Sequence, residues 1–196
     1  MEKFSVKTID FQSKNAAKEF VASLKNTGFA VIHNHNIDQD LINSVYLEWS
    51  SFFNSKNKFN YIFDIEKQDG YFPMLSENAK GYSKKDLKEF YHIYLPWGRI
   101  PKEITTDTIV LRNQLVSIGA KLLHWIDDNT IPEISKNFSI PLKDMIRESK
   151  TNLLRVIHYP PLDGNEDISS LRAAPHGDIN LITILLSGSE PGLQVL

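Results

Sequence analysis

The chain has 196 residues, of which 41% are hydrophobic and 23% are charged, and its net charge at pH 7 is −2. These values are ordinary for a globular protein and give no indication of a nucleic-acid partner. The absence of cysteine excludes disulfides and thiolate metal sites. Because the sequence contains neither an apolar signal segment nor a run long enough to span a membrane, we expect a cytoplasmic protein without a membrane partner.

The first part of the chain predicts a β-helix-β-helix opening. Alternation favours a strand over residues 4–10, and apolar residues at helical spacing favour a helix over 14–26. Gly28 has the position of a helix C-terminal glycine, and residues 29–33 are typical of a second strand. Asp38 has the position of the N-cap of a second helix.

The middle of the chain is read as a strand followed by helices. Residues 89–94 predict a strand, 105–129 a long helix that backs the sheet, and 131–138 and 141–148 two short helices. Ahead of the strand, lysines alternate with acidic residues, which favours a solvated face over an anion-binding patch. The lysines are Lys80, Lys84, Lys85 and Lys88, and the acidic residues are Glu77, Asp86 and Glu89.

The sequence His-Gly-Asp at residues 176–178 is the strongest candidate for chemistry. LRAAP before it predicts a short strand, and the apolar residues 179–186 after it predict a buried strand. Residues two apart on an extended chain point to the same side, so His176 and Asp178 can direct a nitrogen and an oxygen towards one ion. This donor set suits Fe(II), Mn(II) or Zn(II), and one further His would complete a facial triad. The alternative is an ordinary hydrogen-bonded His–Asp pair.

The remaining histidines are interpreted as structural. His33 and His35 form an H-x-H pair that could bind a metal, but no third ligand lies near, and the asparagines beside them favour a strand end and its loop. His92 lies in the predicted strand and His124 in the apolar pattern of the long helix. We expect neither of them to be a metal ligand.

A series of blocks carries a family resemblance. In chain order they are LRVIHYPP, HGD, the TIL of residues 183–185, and PGLQV. Their order and spacing resemble the isopenicillin N synthase-like branch of the Fe(II)/2-oxoglutarate-dependent dioxygenases. The resemblance implies an α+β chain with a mainly β core, a double-stranded β-helix or jelly roll. It also implies Fe(II), 2-oxoglutarate and O2 as cofactors, a small organic substrate, and His176 and Asp178 as metal ligands.

The same resemblance gives Tyr159 a role, which is to donate a hydrogen bond to the carboxylate of 2-oxoglutarate. The alternative is that Tyr159 only packs against the two prolines that follow it. The resemblance further implies an N-terminal region over residues 1–100. Residues 101–196 would then hold the helical segment and the first part of the oxygenase core, in one structural unit.

The sequence stops at GLQVL, inside a predicted strand. We therefore expect the distal His and the Arg-x-Ser of the family to lie beyond Leu196, leaving the jelly roll incomplete. Three alternatives stay open: a 2-oxoglutarate-independent oxidase of the same family, a non-catalytic truncated remnant, and a jelly-roll binding module without a metal. The sequence fixes neither the substrate nor the oligomeric state.

Overall fold

The computed structural model describes residues 5–167 and 169–194. Its strands are β1 Thr8–Asp10, β2 Val31–His33, β3 Gly70–Phe72, β4 Glu89–Tyr94 and β5 Leu153–His158. Its helices are α1 Ala16–Thr27, α2 Gln39–Asn54, α3 Asp107–Asp128, α4 Pro132–Ser135 and α5 Leu142–Glu148. A 3₁₀ segment, Lys56–Tyr61, follows α2. Among these residues, none of the helices combines the length and hydropathy needed to span a membrane.

The N-terminal β-helix-β-helix opening forms as predicted. β1 and β2 pair in parallel, and α1 is the crossover between them. Gly28 ends α1 at φ 75°, where its N–H bonds the carbonyl of Leu24. Glycine adopts this left-handed conformation without a Cβ penalty. Asp38 caps α2, and its carboxylate accepts the N–H of Asp40 at 2.9 Å.

β3, β4 and β5 form a three-stranded antiparallel sheet, with β4 between the other two strands. Every residue of β4 except Tyr94 is buried. On one face Tyr91 joins the core, and on the other Phe90 stacks against Phe72 with ring centroids 4.3 Å apart. Because both faces of β4 are covered, Glu89, the charged residue at its beginning, is buried as well.

Two hydrophobic clusters form the core. The first joins α2 to β3, β4 and the start of α3, and the second joins α1 and β1 to the C-terminal half of α3. Trp49 is central to the first cluster, and its indole N–H donates to the hydroxyl of buried Thr108 at 2.9 Å. The predicted long helix forms as α3, contributes to both clusters, and packs through Leu111 in the cluster that contains Tyr71 of β3 and Tyr91 of β4.

Gly119 allows two other segments to approach α3 closely. A Cβ placed at this position would lie 2.7 Å from the Cδ1 of Ile146 in α5 and 3.0 Å from the Cδ1 of Ile184. Such distances are shorter than van der Waals contact. The apolar segment after the His-Gly-Asp sequence therefore packs across α3 at this glycine.

The prediction of a buried strand over residues 179–186 is wrong. Within the described residues this segment pairs with no strand. Ile182, Ile184 and Leu186 are partly buried, whereas Leu181 and Leu185 are 59% and 65% exposed. This alternation is typical of an extended chain with one covered face. Apolar, β-branched composition expresses a preference for extended backbone, but a strand also needs a hydrogen-bonding partner.

Among the described residues, three other predicted strands are absent or shorter than expected. The predicted strand LRAAP does not form, although the Leu171 carbonyl accepts the N–H of Leu87 at 2.8 Å. Gly192 and Gln194 of the predicted GLQV strand lie in no strand, and Val195 and Leu196 lie outside the described residues. The first predicted strand begins at Thr8 rather than at residue 4, which also lies outside them.

The described residues confirm a mixed α and β chain. Helices contain more of these residues than strands do, and helical side chains supply most of the two core clusters. The prediction of a mainly β core is therefore not met in this part of the chain. The hydrophobic period identified the helices correctly, but it gave too much weight to strands after residue 170.

Candidate functional site

The segment that leads to the His-Gly-Asp sequence is held against the residues before β4. Leu87 donates its N–H to the Leu171 carbonyl, and Ala174 donates its N–H to Oδ1 of Asp86 at 3.2 Å. Ala174 itself is only 3% exposed. Two hydrogen bonds and one buried methyl group therefore fix the approach to residue 176.

His176 and Asp178 face one another at the surface. The Nε2 of His176 lies 3.7 Å from Oδ1 of Asp178, and the two side chains are 50% and 52% exposed. A separation of 3.7 Å is too long for a direct hydrogen bond, so the simple hydrogen-bonded pair does not describe this geometry. As an exposed ion pair it would contribute at most about 1 kcal/mol to stability.

The hydrogen bond of Nδ1, the other ring nitrogen of His176, determines which nitrogen is available to a metal. Nδ1 lies 2.8 Å from the Ala174 carbonyl oxygen. Since a carbonyl can only accept, Nδ1 carries a proton, and in the neutral imidazole Nε2 then has the lone pair. In metal-binding histidines, one ring nitrogen binds the metal while the other usually donates its N–H to a carboxylate, a backbone carbonyl or water. The bond from Nδ1 of His176 to a carbonyl matches this arrangement.

The two donor atoms fit a shared divalent cation of the first transition row. Two ligands at 90° on one ion, each about 2.1 Å from it, lie about 3.0 Å apart, and at any angle they lie at most about 4.2 Å apart. The observed 3.7 Å lies within that bound. One imidazole nitrogen and one carboxylate oxygen also match the preferences of Fe(II), Mn(II) and Zn(II).

No third side chain joins this pair among residues 5–167 and 169–194, where no group of three His, Asp or Glu residues could hold a metal. His35 accepts the N–H of Ile37 through Nδ1 at 3.3 Å, and His33 ends β2. His124 lies 3.4 Å from Asp128, one turn further along α3.

Tyr159 lies directly after β5 and is 41% exposed. In the part of the chain that the structure describes, its hydroxyl makes no hydrogen bond. Partial burial raises the pKa of its phenol, and the charges of Lys88, Asp86, Arg155 and Arg172 act on it as well. Tyr159 therefore shares its electrostatic surroundings with Asp86, the residue that holds Ala174.

Two cavities beside α3, of about 360 and 570 Å³, include neither Tyr159 nor the His176–Asp178 pair.

The prediction of a solvated charged face before β4 is wrong for three residues. Lys80, Lys84 and Lys85 are exposed as expected. Asp86, Lys88 and Glu89 are instead 2%, 6% and 3% exposed. The signal in the sequence was the position of these charges, because unlike charges two apart lead directly into an apolar strand and share one side of an extended chain.

Lys88 lies between two carboxylates. Its Nζ is 2.8 Å from Oδ2 of Asp86 and 3.0 Å from Oε2 of Glu77. Burial lowers the pKa of Lys88, but the hydrogen bonds to Asp86 and Glu77 outweigh burial and raise it overall. Lys88 is therefore a fixed cation beneath the segment that carries the candidate metal ligands.

Glu89 forms a second buried cluster on the other side of the strand. It accepts from Lys58 Nζ and interacts with His158 Nδ1, both at 2.8 Å, and the hydroxyl of Tyr71 also donates to it. Burial raises its pKa, whereas these three partners lower it and prevail. Phe53 stacks on the His158 ring at 5.3 Å, which closes the cluster. Because the charged and polar groups of this cluster bond to one another, we interpret the cluster as structural.

Comparison with known proteins establishes the family. The family model "non-haem dioxygenase in morphine synthesis N-terminal" matches residues 6–110. The 2-oxoglutarate-dependent dioxygenase htyE of Aspergillus rugulosus is 26% identical over 231 aligned positions, covering 97% of this chain and 67% of htyE. The chain belongs to the Fe(II)/2-oxoglutarate-dependent oxygenase family. The resemblance seen in the sequence is thereby confirmed.

Comparison with solved structures extends the likeness to three dimensions. A candidate oxygenase from Shewanella oneidensis is 44% identical with a TM-score of 0.79. A candidate 2OG-Fe(II) oxygenase family protein from Caulobacter crescentus is 28% identical with a TM-score of 0.67. Each comparison covers 90% of this chain and 62% of the other. The mixed α and β fold is therefore that of the corresponding part of these two proteins, and the chain spans about three fifths of their length.

Proposed function

We propose that this chain is part of a non-haem Fe(II)- and 2-oxoglutarate-dependent oxygenase that acts on a small organic substrate. His176 and Asp178 would be two of its metal ligands. The observation that carries the proposal is the separation of 3.7 Å between Nε2 of His176, whose Nδ1 is bonded to the Ala174 carbonyl, and Oδ1 of Asp178. When bound, Fe(II) with 2-oxoglutarate and O2 supplies the oxidising chemistry of the family.

His176, Asp178 and Tyr159 would each have a different role in the proposed site. His176 offers a lone pair at Nε2, because its ring proton is held at Nδ1 by the Ala174 carbonyl. Asp178 contributes a carboxylate oxygen and a negative charge that offsets the charge of a divalent cation. Tyr159 would donate its phenol proton to a carboxylate of 2-oxoglutarate. Its phenol is protonated at neutral pH, because partial burial raises a pKa whose ordinary value is already about 10.

We also infer that β3, β4 and β5 belong to a jelly roll and that residues 1–100 and 101–196 correspond to an N-terminal region and the first part of the core. The structural likeness to the Caulobacter crescentus protein, named for the 2OG-Fe(II) oxygenase family, supports this assignment. The antiparallel pairing of the three strands supports it too, since jelly rolls are built from antiparallel sheets.

The metal role can be tested on the 196-residue chain with Co(II), an air-stable paramagnetic substitute for Fe(II). As Co(II) is added, we expect the NMR signals of His176 and Asp178 to broaden first. The signals of the other histidines should broaden only at higher Co(II) concentration. His176→Ala and Asp178→Asn should each abolish this selective broadening. Since two protein ligands bind an ion weakly, binding is expected only at high Co(II) concentration.

The chain provides a matched control for this experiment. His124 and Asp128 form another exposed His–Asp pair, with Nδ1 and Oδ1 3.4 Å apart and side chains 46% and 59% exposed. Equal broadening of both pairs would show that His176 and Asp178 behave as an ordinary surface pair, and would contradict the proposal.

A further inference from the structure

The buried ion pair of Asp86 and Lys88 lies outside the proposed set of ligands. Its two charged atoms are 2.8 Å apart, and the residues are 2% and 6% exposed. Transfer of such charges into the interior costs several kcal/mol for each ion, which only well-formed hydrogen bonds offset. Glu77 supplies one of these by approaching Lys88 Nζ at 3.0 Å. Because burial of this ion pair is costly, we expect the pair to have a structural or functional role.

Asp86 uses its two oxygens for two different segments. Oδ2 accepts from Lys88, while Oδ1 accepts the backbone N–H of Ala174 at 3.2 Å. The neighbouring residue Leu87 bonds the Leu171 carbonyl at 2.8 Å. One carboxylate therefore joins the entrance of β4 to a segment that lies 88 residues further along the chain.

Ala174 passes this constraint on to His176. The N–H of Ala174 is bound by Asp86, and its carbonyl accepts the Nδ1 proton of His176 at 2.8 Å. Ala174 is 3% exposed, so it has little freedom to turn away. The contacts form a continuous series from Lys88 through Asp86 and Ala174 to the imidazole ring. At the end of the series, Nε2 faces Asp178.

We propose that Asp86, held in place by Lys88, is a positioning residue that sets the ring orientation and the Nδ1-protonated form of His176. The consequence for metal binding rests on the proposed function, in which His176 is a ligand. Residues that orient a metal-binding histidine commonly change metal affinity about 10–100-fold when they are removed.

Asp86→Asn is the direct test, because asparagine has a single side-chain oxygen. It can keep the bond from Lys88 or the bond from Ala174, but not both. Nitrogen-detected NMR of the histidine rings in alkaline buffer, where an imidazole is neutral, distinguishes protonation at Nδ1 from protonation at Nε2. We expect His176 to be mainly Nδ1-protonated in the wild-type chain and to become a mixture of both forms in Asp86→Asn. His176→Gln identifies its signal.

Glu89→Gln is the matched control. It makes the same carboxylate-to-amide change in a neighbouring buried cluster, which contacts His158 and Lys58 rather than Ala174. It should lower stability without altering the His176 signal. If Asp86→Asn leaves the protonated form of His176 unchanged, or if Glu89→Gln changes it equally, the positioning role is overturned.

A double variant keeps the test decisive if Asp86→Asn fails to fold. Asp86→Leu combined with Lys88→Met replaces the pair with apolar side chains, a change that is often neutral or stabilising in buried ion pairs. It removes the acceptor for Ala174, so the Nδ1-protonated form of His176 should again be lost. Retention of that form in the folded double variant would equally overturn the proposal.

Co(II) binding separates this inference from the proposed function. Selective broadening at His176 should require about 10–100 times more Co(II) in Asp86→Asn than in the wild-type chain. Absence of broadening at His176 in the wild-type chain would contradict the metal role, while the ring NMR still decides the positioning role. Equal Co(II) requirements in both proteins would contradict the effect of Asp86 on metal affinity.

Discussion

Acid should destabilise this fold through His92, in the centre of β4. His92 is 9% exposed, and its Nε2 accepts a hydrogen bond from Nε of Arg155 at 2.8 Å. Burial, followed by the positive charge of Arg155, lowers the pKa of His92 to about 4 from its ordinary value of 6.5. Glu77 and a backbone hydrogen bond with Gln68 act in the opposite direction. Protonation of Nε2 would set an N–H against the N–H of Arg155.

The sign and size of the effect follow from linkage. Because the pKa is depressed in the folded state, the unfolded chain binds the proton first as the pH falls. The contribution of neutral His92 is therefore complete above about pH 6.5 and is lost as the pH falls towards about 4. At about 1.36 kcal/mol for each pH unit, the full loss is about 3 kcal/mol.

The prediction can be checked with His92→Gln, in which the amide oxygen can still accept from Arg155 but does not titrate in this range. Urea unfolding gives the free energy of unfolding of both proteins at about pH 7 and about pH 4. The wild-type chain should lose about 3 kcal/mol more than the variant between these values. His124→Gln, which removes a half-exposed histidine of α3, should follow the wild-type curve. Parallel loss of stability in the wild-type and His92→Gln proteins would refute the reasoning.

Two further substitutions test the cofactor site and the N-terminal fold. In a full-length version of the proposed oxygenase, Tyr159→Phe should weaken 2-oxoglutarate binding by about 0.5–1.5 kcal/mol, measured by calorimetry, because one hydrogen bond is lost. Tyr82→Phe, at a tyrosine that is 42% exposed, is the control, and an equal effect of both would argue against the role of Tyr159. Asp38→Ala should lower the free energy of unfolding by about 1 kcal/mol through loss of the cap on Asp40. Asp38→Asn keeps a capping oxygen and should cost only a few tenths, so equal losses would contradict the capping role.

Local features of the sequence predicted the local structure well. The cap at Asp38, the left-handed glycine at Gly28, the strand Glu89–Tyr94 and the long helix α3 appear where the sequence indicated them. Each depends on interactions within a few residues, such as a side chain reaching its own backbone or an apolar period matching one helix face. The family resemblance was also readable, because it rests on short motifs in a fixed order.

The main errors concern partners that are distant in the chain. Nothing in the sequence of residues 179–186 says whether another strand lies beside them, and the structure covers only one of their faces, against α3. Similarly, the charges of Asp86 and Lys88 are typical of a surface when only neighbouring residues are considered. Their burial depends on the segment around Ala174, which lies nearly ninety residues further on.

The sequence by itself determined the family, the helices and the two residues, His176 and Asp178, that are candidates for the metal. A spacing of two residues is a local property, and it was enough to predict that their side chains could meet. Only the tertiary structure decided which nitrogen of His176 is free, because that choice depends on the carbonyl of Ala174 and on the distant carboxylate that holds Ala174 in place. Long-range hydrogen bonds of this kind form only when the chain has folded, and a sequence pattern cannot display them.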